Sequence, residues 1–493
     1  MIEDVVNWLV NALWSSPMIY LVLGVGALYT VWLVAPQIRR LPDMLRYLFR
    51  GGDSSQGISS FQAFAMALGG RVGMGNIAGV ATAIHAGGPG AMFWMWVTAF
   101  IGSAVAVAES SLAQLFKQEV NGEYRGGPAY YIEKGLRWKW LAVVYAVATV
   151  FATAVTGPSI QAFNIAAAAE SAFAIDTRVT GVIVAVLFCA VVFGGMRRIG
   201  TVSAFVVPFM AAAYIIFGII VLFAHADRVP AMFGQIFASA FGTDAIFGGM
   251  LGAAITWGVR RAIYSSEAGT GSGAQASAAA EVSHPVKQGL AQGFSVYVDT
   301  LFVCTMTGLM ILVTNSYNVV DEAGRTVVEY VPGVEAGPAY TQAAIDTVFG
   351  GFGSAFIALA MFFFAFTTLL SFGFYADTNV AYLLRDSRWE RPVTKAAQAV
   401  LALSIVLGSF RSADFAWALA DVGVGLYTWV NLIALVLLSP LVARIYRDYE
   451  RQRRAGLDPV FDPDAAGIDN APLWHVIAER NRARLGSGTP EAR

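Results

Sequence analysis

Two glycine-rich stretches, each set inside a long apolar segment, are where this chain could do chemistry. The first reads Gly69-Gly70-Arg71-Val72-Gly73-Met74-Gly75-Asn76, the second Ser265-Ser266-Glu267-Ala268-Gly269-Thr270-Gly271-Ser272-Gly273. Backbone that leaves the helix within a bilayer must find polar partners, so it survives only where protein or a water-filled cavity supplies them. Unwinding at Val72, Gly73, Met74, Gly75 and Asn76 would bare carbonyls for a cation and amides, at a positive helix end, for a carboxylate. The second stretch adds an acid and hydroxyls around Gly269, Thr270, Gly271 and Ser272. Two breaks at matching places in two halves of a hydrophobic region point to the binding site of an inverted-repeat secondary transporter. The competing reading is close packing, because small residues every four positions let two helices touch.

Further polar residues stand in apolar context. Glu109, Asp299, Asp377, Arg260, Arg261 and Glu267 are ionisable groups at membrane depth, which marks function by default. Glu267 either takes part directly or holds loop amides and pairs with Arg260 or Arg261. Those arginines line an inner vestibule or pair with acids, and Glu109, Asp299 and Asp377 either take part in function or only bridge helices. Gln161 and Asn164, three apart, share one helical face and serve either the pocket or interhelical contact. Thr367 and Thr368 follow a run of phenylalanines. Such hydroxyls usually bond their own helix, but facing an unwound segment they become oxygen ligands for a small hard cation.

The elements that must position these groups follow from composition. Of 493 residues, 57% are hydrophobic and 13% charged, against about 25% charged in a soluble domain, so the chain is a polytopic membrane protein. The net charge of −1 says nothing about partners. Cys189 and Cys304 read as small hydrophobes. The four histidines are scattered, and no cluster has metal-ligand spacing. No nucleophile elbow, phosphate loop or zinc-helix motif occurs, so no enzyme is expected. Residues 1–15 carry Glu3 and Asp4 but no basic leader, so the first apolar stretch reads as a membrane helix with its N-terminus outside.

Spans of about 20 apolar residues fall at roughly 16–37, 58–85, 90–116, 140–170, 178–195, 199–224, 247–275, 286–315, 350–382, 394–410 and 413–443, eleven in all. With the N-terminus outside, 25 of the 32 Lys and Arg lie in cytoplasmic segments, including Arg39–Arg50 and the tail. Four (Arg178, Arg228, Arg325, Arg411) lie outside and three within spans, a strong positive-inside bias. Residues 317–349 form the longest outer loop, with short helical or extended pieces. Gly126 to Gly135 looks like an interfacial helix whose Tyr130 and Tyr131 face headgroups while Lys134 and Arg137 stay wet. Residues 446–493, charged and carrying Pro459, Pro463, Pro472 and Pro490, read as a partly disordered cytoplasmic tail.

At the two breaks the chain resembles the alanine or glycine:cation symporter family, sodium-coupled amino-acid carriers with a LeuT-like fold. The resemblance is carried by Val72-Gly73-Met74-Gly75-Asn76-Ile77-Ala78-Gly79-Val80-Ala81-Thr82-Ala83-Ile84, by Gly87 to Val97, by Gly126-Gly127-Pro128 to Gly135, by Glu267-Ala268-Gly269 and by His284-Pro285-Val286-Lys287-Gln288-Gly289-Leu290. It implies an all-α fold of two five-helix inverted repeats, residues 55–228 and 229–445, after an extra N-terminal helix and basic linker in 1–54. It implies a sodium site from the carbonyls of Gly69, Val72 and Phe364 and the hydroxyls of Thr367 and Thr368. Amides at Met74 and Gly75 would hold the substrate carboxylate, and the Arg71 carbonyl with Asn76 a second cation. The chain departs from the family at Met74, Phe163 and Ser266, where the family usually has Thr, Asn and Asn. The expected activity is import of a small neutral amino acid, alanine- or glycine-like, by sodium symport across the cell membrane, with no cofactor beyond the coupling ion. A proton-coupled carrier with Glu267 as acceptor, and an amino-acid-gated channel or sensor signalling through its tail, are the alternatives.

Overall fold

Helices fill every one of those apolar stretches. The computed structural model describes residues 2–49, 57–410, 413–468 and 470–486. Arg50, Arg411, the 54/55 repeat boundary and Pro490 lie outside the described residues.

The first half runs through α1 (Ile2–Leu13), α2 (Ser16–Trp32), α3 (Leu41–Leu48), α4 (Ser60–Arg71), α5 (Ala78–Gly87), α6 (Ala91–Leu115), α7 (Lys139–Phe173), α8 (Thr177–Val192) and α9 (Gly195–Ala224). The second holds α10 (Val229–Ala240), α11 (Leu251–Ser266), α12 (Ser272–Ala278), α13 (Pro285–Val313), α14 (Pro338–Phe349), α15 (Gly351–Leu383), α16 (Glu390–Gly408), α17 (Ala413–Arg454) and α18 (Pro472–Gly486). Among the described residues, seven continuous helical runs are long and apolar enough to cross a bilayer. The remaining expected spans are broken (α4–α5, α11–α12) or shorter or more polar (α8, α16). Outward faces are apolar and exposed, as a lipid-facing surface is: Phe205, Phe209 and Phe223 of α9 are 80%, 72% and 78% accessible. The segments around the two breaks, 63–81 and 265–280, are buried.

The broken helices run antiparallel and pair half with half. Their ends are tied by a parallel bridge, Ile58 N–H to the Ala279 carbonyl (3.0 Å) and Glu281 N–H to the Ile58 carbonyl (3.0 Å). Ser59 caps α4 in a reciprocal box with Gln62, which satisfies two of the amide donors a helix start leaves open. α7 and α13 each widen to a π-helical turn, at Ala152–Thr156 and Tyr297–Cys304. Such turns leave backbone carbonyls off the regular ladder and often sit at functional sites.

Outside the spans, residues 317–349 carry a hairpin, Asn318–Val320 with Thr326–Glu329, and then α14, the pieces expected there. One reading is corrected. Tyr130 and Tyr131 face protein, 2% and 0% accessible, because Tyr131 donates to Asn431 and Tyr130 packs edge-on against Tyr382. The described part of the tail packs on the bundle. α17 continues to Arg454, Phe461 N–H donates to the Ser283 carbonyl (2.8 Å), and fully buried Trp474 donates to the Gln114 carbonyl (2.8 Å). Average composition concealed a few apolar anchors, Phe461, Ile468, Trp474 and Ile477, that are worth ordering a charged segment to bury.

Candidate functional site

At the first break the helix stops at Arg71, the chain turns tightly at Val72 with Gly73 N–H on the Arg71 carbonyl (2.9 Å), Gly73 is extended, and a single 3-10 turn, Met74–Asn76, leads into α5. At the second, Glu267 (φ 53°), Gly269 (φ 88°) and Gly271 (φ 80°) take left-handed backbone before α12 begins. Glycine is needed for approach as well as for φ. A Cβ on Gly70 would stand 2.6 Å from the Tyr375 hydroxyl and 3.3 Å from Glu267 Oε2. A Cβ on Gly73 would strike the Thr368 hydroxyl and stand 3.3 Å from Gln161 Oε1.

Both breaks thus face one cleft. Gly73 and Gly75 line it from the first and Thr270 from the second, with Arg71, Glu267, Gln161 and Thr368. Its apolar wall, which the sequence reading missed, is Phe372, Ile263, Tyr264 and Tyr427. In this conformation it is closed down to about 20 Å³, room for one water and not for an amino acid. Gln161 Oε1 accepts from Met74 N–H at 3.2 Å and Asn76 Oδ1 from Gly73 N–H at 2.9 Å. Two amides at the break are therefore engaged by side chains, and that of Gly73 also donates to the Arg71 carbonyl (2.9 Å). Asn164 is not brought to the cleft; it donates to the Ile160 carbonyl of its own helix (2.8 Å).

The oxygens expected around a cation are partly gathered. The Thr368 hydroxyl lies 2.9 Å from the Gly69 carbonyl and 3.1 Å from that of Phe364. One turn further, Ser371 reaches the Met66 carbonyl (2.7 Å). Among the described residues Thr367 bonds its own helix, at Phe363 and Phe364. Val72 is buried at the break. The residues fit a hard monovalent cation chemically, being neutral oxygens beside unwound backbone.

Three buried carboxylates bond to the residues of the two breaks, and one of them, Glu267, lines the cleft. Asp299, in the π turn of α13, accepts from Asn76 Nδ2 (2.6 Å), the Ser265 hydroxyl (3.1 Å) and the Thr300 hydroxyl (2.6 Å). Cys304 lies in the same node, 3.2 Å from Asn76 Nδ2 and 3.1 Å from the Ser265 hydroxyl, a placement its apolar setting in the sequence did not suggest. Glu109 accepts from Gly269 N–H and Asn431 Nδ2, each at 3.2 Å, and Asn431 also donates to the Gly269 carbonyl (2.9 Å). Glu267 accepts from the Tyr375 hydroxyl (3.3 Å), and Thr270 bonds back to the Glu267 carbonyl (2.7 Å) and to Ser272 (2.8 Å). Gly271 packs on Pro128 and Asn431. Asn431 and Tyr375 were missed; a polar residue in the last span and a tyrosine in an aromatic run were the available signals.

The buried arginines are engaged elsewhere. Arg71 donates to Gln292 Oε1 (3.0 Å) and to Ser295. Arg260 and Arg261 both pair with Asp421 and stack on Trp257 and Trp417. Of the roles expected of these two arginines, pairing with an acid is the one seen, and the acid is Asp421, not Glu267. They lie at the end of α2 where Trp14 donates to the Asp421 carbonyl (2.9 Å), away from the basic stretch that follows α2. Asp377 bridges helices, accepting from Gln398 of α16 (2.9 Å).

A multi-pass bundle with a buried polar cleft between two interrupted helices has the build of a membrane carrier. The chain belongs to the sodium:alanine symporter family, whose model matches residues 1–463. It is 50% identical, over 96% of its length and 97% of the relative's, to YrbD of Bacillus subtilis (strain 168), provisionally named a sodium/proton-dependent alanine carrier protein. It is 46% identical to the sodium/proton-dependent alanine carrier protein of Bacillus sp. (strain PS3), over 90% of this chain and 99% of that one. With GlnT of Bacillus subtilis (strain 168), a probable sodium/glutamine symporter by name, it shares 40% over 96% of each chain. The family is one of transporters, and membership makes this chain a multi-pass, cation-coupled amino-acid symporter.

Proposed function

We propose that the protein imports a small neutral amino acid, alanine or glycine in size, together with sodium, by alternating access. The observation that carries this is the Thr368 hydroxyl 2.9 Å from the bared Gly69 carbonyl at the edge of the inter-break cleft. Sodium would bind there with the Phe364 and Val72 carbonyls, and the substrate carboxylate at the amides of Met74 and Gly75 once Gln161 yields. A second cation would sit near Asn76 and the Arg71 carbonyl. Phe372, Tyr264 and Tyr427 close the cleft against a long side chain, which favours alanine over the glutamine in GlnT's name. One sodium ion moving down 100 mV supplies about 2.3 kcal/mol, more than tenfold accumulation. The proposed frame is eleven spans, an N-terminus outside, a cytoplasmic C-terminus and two inverted five-helix repeats.

Purified protein in liposomes, with an imposed sodium gradient and labelled alanine, tests the proposal. Uptake should require the gradient and be competed by excess glycine more strongly than by glutamine. Uptake indifferent to sodium would reject sodium coupling. A proton-coupled reading is favoured by one feature, Glu267 standing against Gly70 between the two breaks with Tyr375 as donor. Uptake driven by a pH gradient alone and abolished in Glu267→Gln would establish it instead.

A further inference from the structure

A cavity of about 410 Å³ opens where the apolar parts of α2 and α17 end, within the size range of small-ligand pockets. Four arginines line it, Arg39, Arg447, Arg451 and Arg454, against one glutamate, Glu450. Glu450 is already held by Arg39 (2.8 Å) and by Arg40, and Arg454 reaches it only at 3.8 Å. Arg451 is engaged by Asp448. Arg447 is exposed and has no acidic partner among the described residues. The cavity therefore keeps an excess of positive charge with guanidinium donors to spare.

Its other wall is apolar and faces outward. Trp32 and Val34 line it, 41% and 57% accessible, and Val31 and Ile38 beside them are 78% and 60% accessible. Exposed apolar surface ending at a tryptophan, with arginines immediately beyond, is the chemistry of a bilayer edge, where the indole sits at headgroup depth. Guanidinium groups bind phosphate oxygens bidentately, and basic pockets between spans take anionic headgroups. From this juxtaposition we propose that the groove is a binding site for one anionic phospholipid, its phosphate held by Arg447 and Arg454 and its acyl chains lying along Trp32 and α2. The site is remote from the cleft and independent of which solute or ion is carried.

The test uses the full-length protein in detergent, with dioctanoyl phosphatidylglycerol, dioctanoyl phosphatidylcholine and inorganic phosphate as probes and melting temperature as the readout. Phosphatidylglycerol should raise the melting temperature saturably and phosphatidylcholine should not. The double variant Arg447→Gln/Arg454→Gln should bind phosphatidylglycerol roughly thirtyfold more weakly, from about fivefold per basic residue near a membrane surface. Arg325→Gln, on the distant hairpin, should bind as wild type does. Equal stabilisation by phosphatidylcholine, equal stabilisation by inorganic phosphate, or an unweakened double variant would each overturn the proposal. Should the double variant fail to fold, a wild-type titration at low and high salt decides. Loss of phosphatidylglycerol affinity with salt supports the charged site, and indifference to salt overturns it.

Discussion

Replacing Thr368 by alanine removes one hydroxyl from the point where α15 meets the first break. That hydroxyl contacts the Gly69 carbonyl at 2.9 Å and the Phe364 carbonyl at 3.1 Å, and Thr368 is 1% accessible. Water cannot readily replace it. Leaving the Gly69 carbonyl without its donor costs about 1–3 kcal/mol of stability, and a contact to a charged partner is worth about 1.5–3 kcal/mol. If the hydroxyl is a sodium ligand, half-saturating sodium should rise about tenfold to a hundredfold in Thr368→Ala. Thr368→Ser keeps the oxygen and loses one methyl, so its sodium affinity should stay within a few fold of wild type. The assay is alanine uptake in proteoliposomes against external sodium at a clamped potential. Sodium-dependent melting serves as the second readout if transport is lost. A Thr368→Ala protein with wild-type sodium affinity by both readouts would refute the cation site, whatever happened to its stability.

Gly73→Ala should abolish uptake, because the new methyl strikes the Thr368 hydroxyl and crowds Gln161 at 3.3 Å; overpacking of about 1–3 kcal/mol should leave a folded protein by size exclusion, and normal transport would contradict the close approach. Asp421→Asn leaves Arg260 and Arg261 buried without their counter-charge and should cost about 3–5 kcal/mol, read as a lowered melting temperature. The docked tail should loosen in acid. Burial holds the His284 imidazole below the ordinary histidine range, against the pull of Asp448, and its ring packs 5.3 Å from Phe461. The undocked form therefore takes up the proton first, and docking weakens as pH falls below about 6.5. Proteolysis within 455–468 should quicken over that window in wild type and stay flat in His284→Gln.

The two breaks were legible because glycine density inside apolar sequence is costly unless backbone must approach something closely, and Gly70 and Gly73 do touch Tyr375, Glu267 and Thr368. Outside the two breaks the expected apolar stretches are helical for a similarly local reason: in lipid, backbone must satisfy itself. Gln161 and Asn164 show the limit. They share a face by spacing, yet only Gln161 reaches the cleft, because Asn164 found its partner one turn back.

Pairing was decided by the tertiary structure alone. Composition placed acids and arginines at membrane depth, but long-range packing gave Asp421 both arginines and left Glu109 to Gly269 and Asn431. It also took Cys304 into a polar node and pulled Trp474 under the bundle. Periodicity and hydropathy are properties of a segment and its solvent, so the chain alone carries them. Which buried polar group answers which depends on segments far apart in the chain being brought within hydrogen-bond reach, and only the folded protein does that.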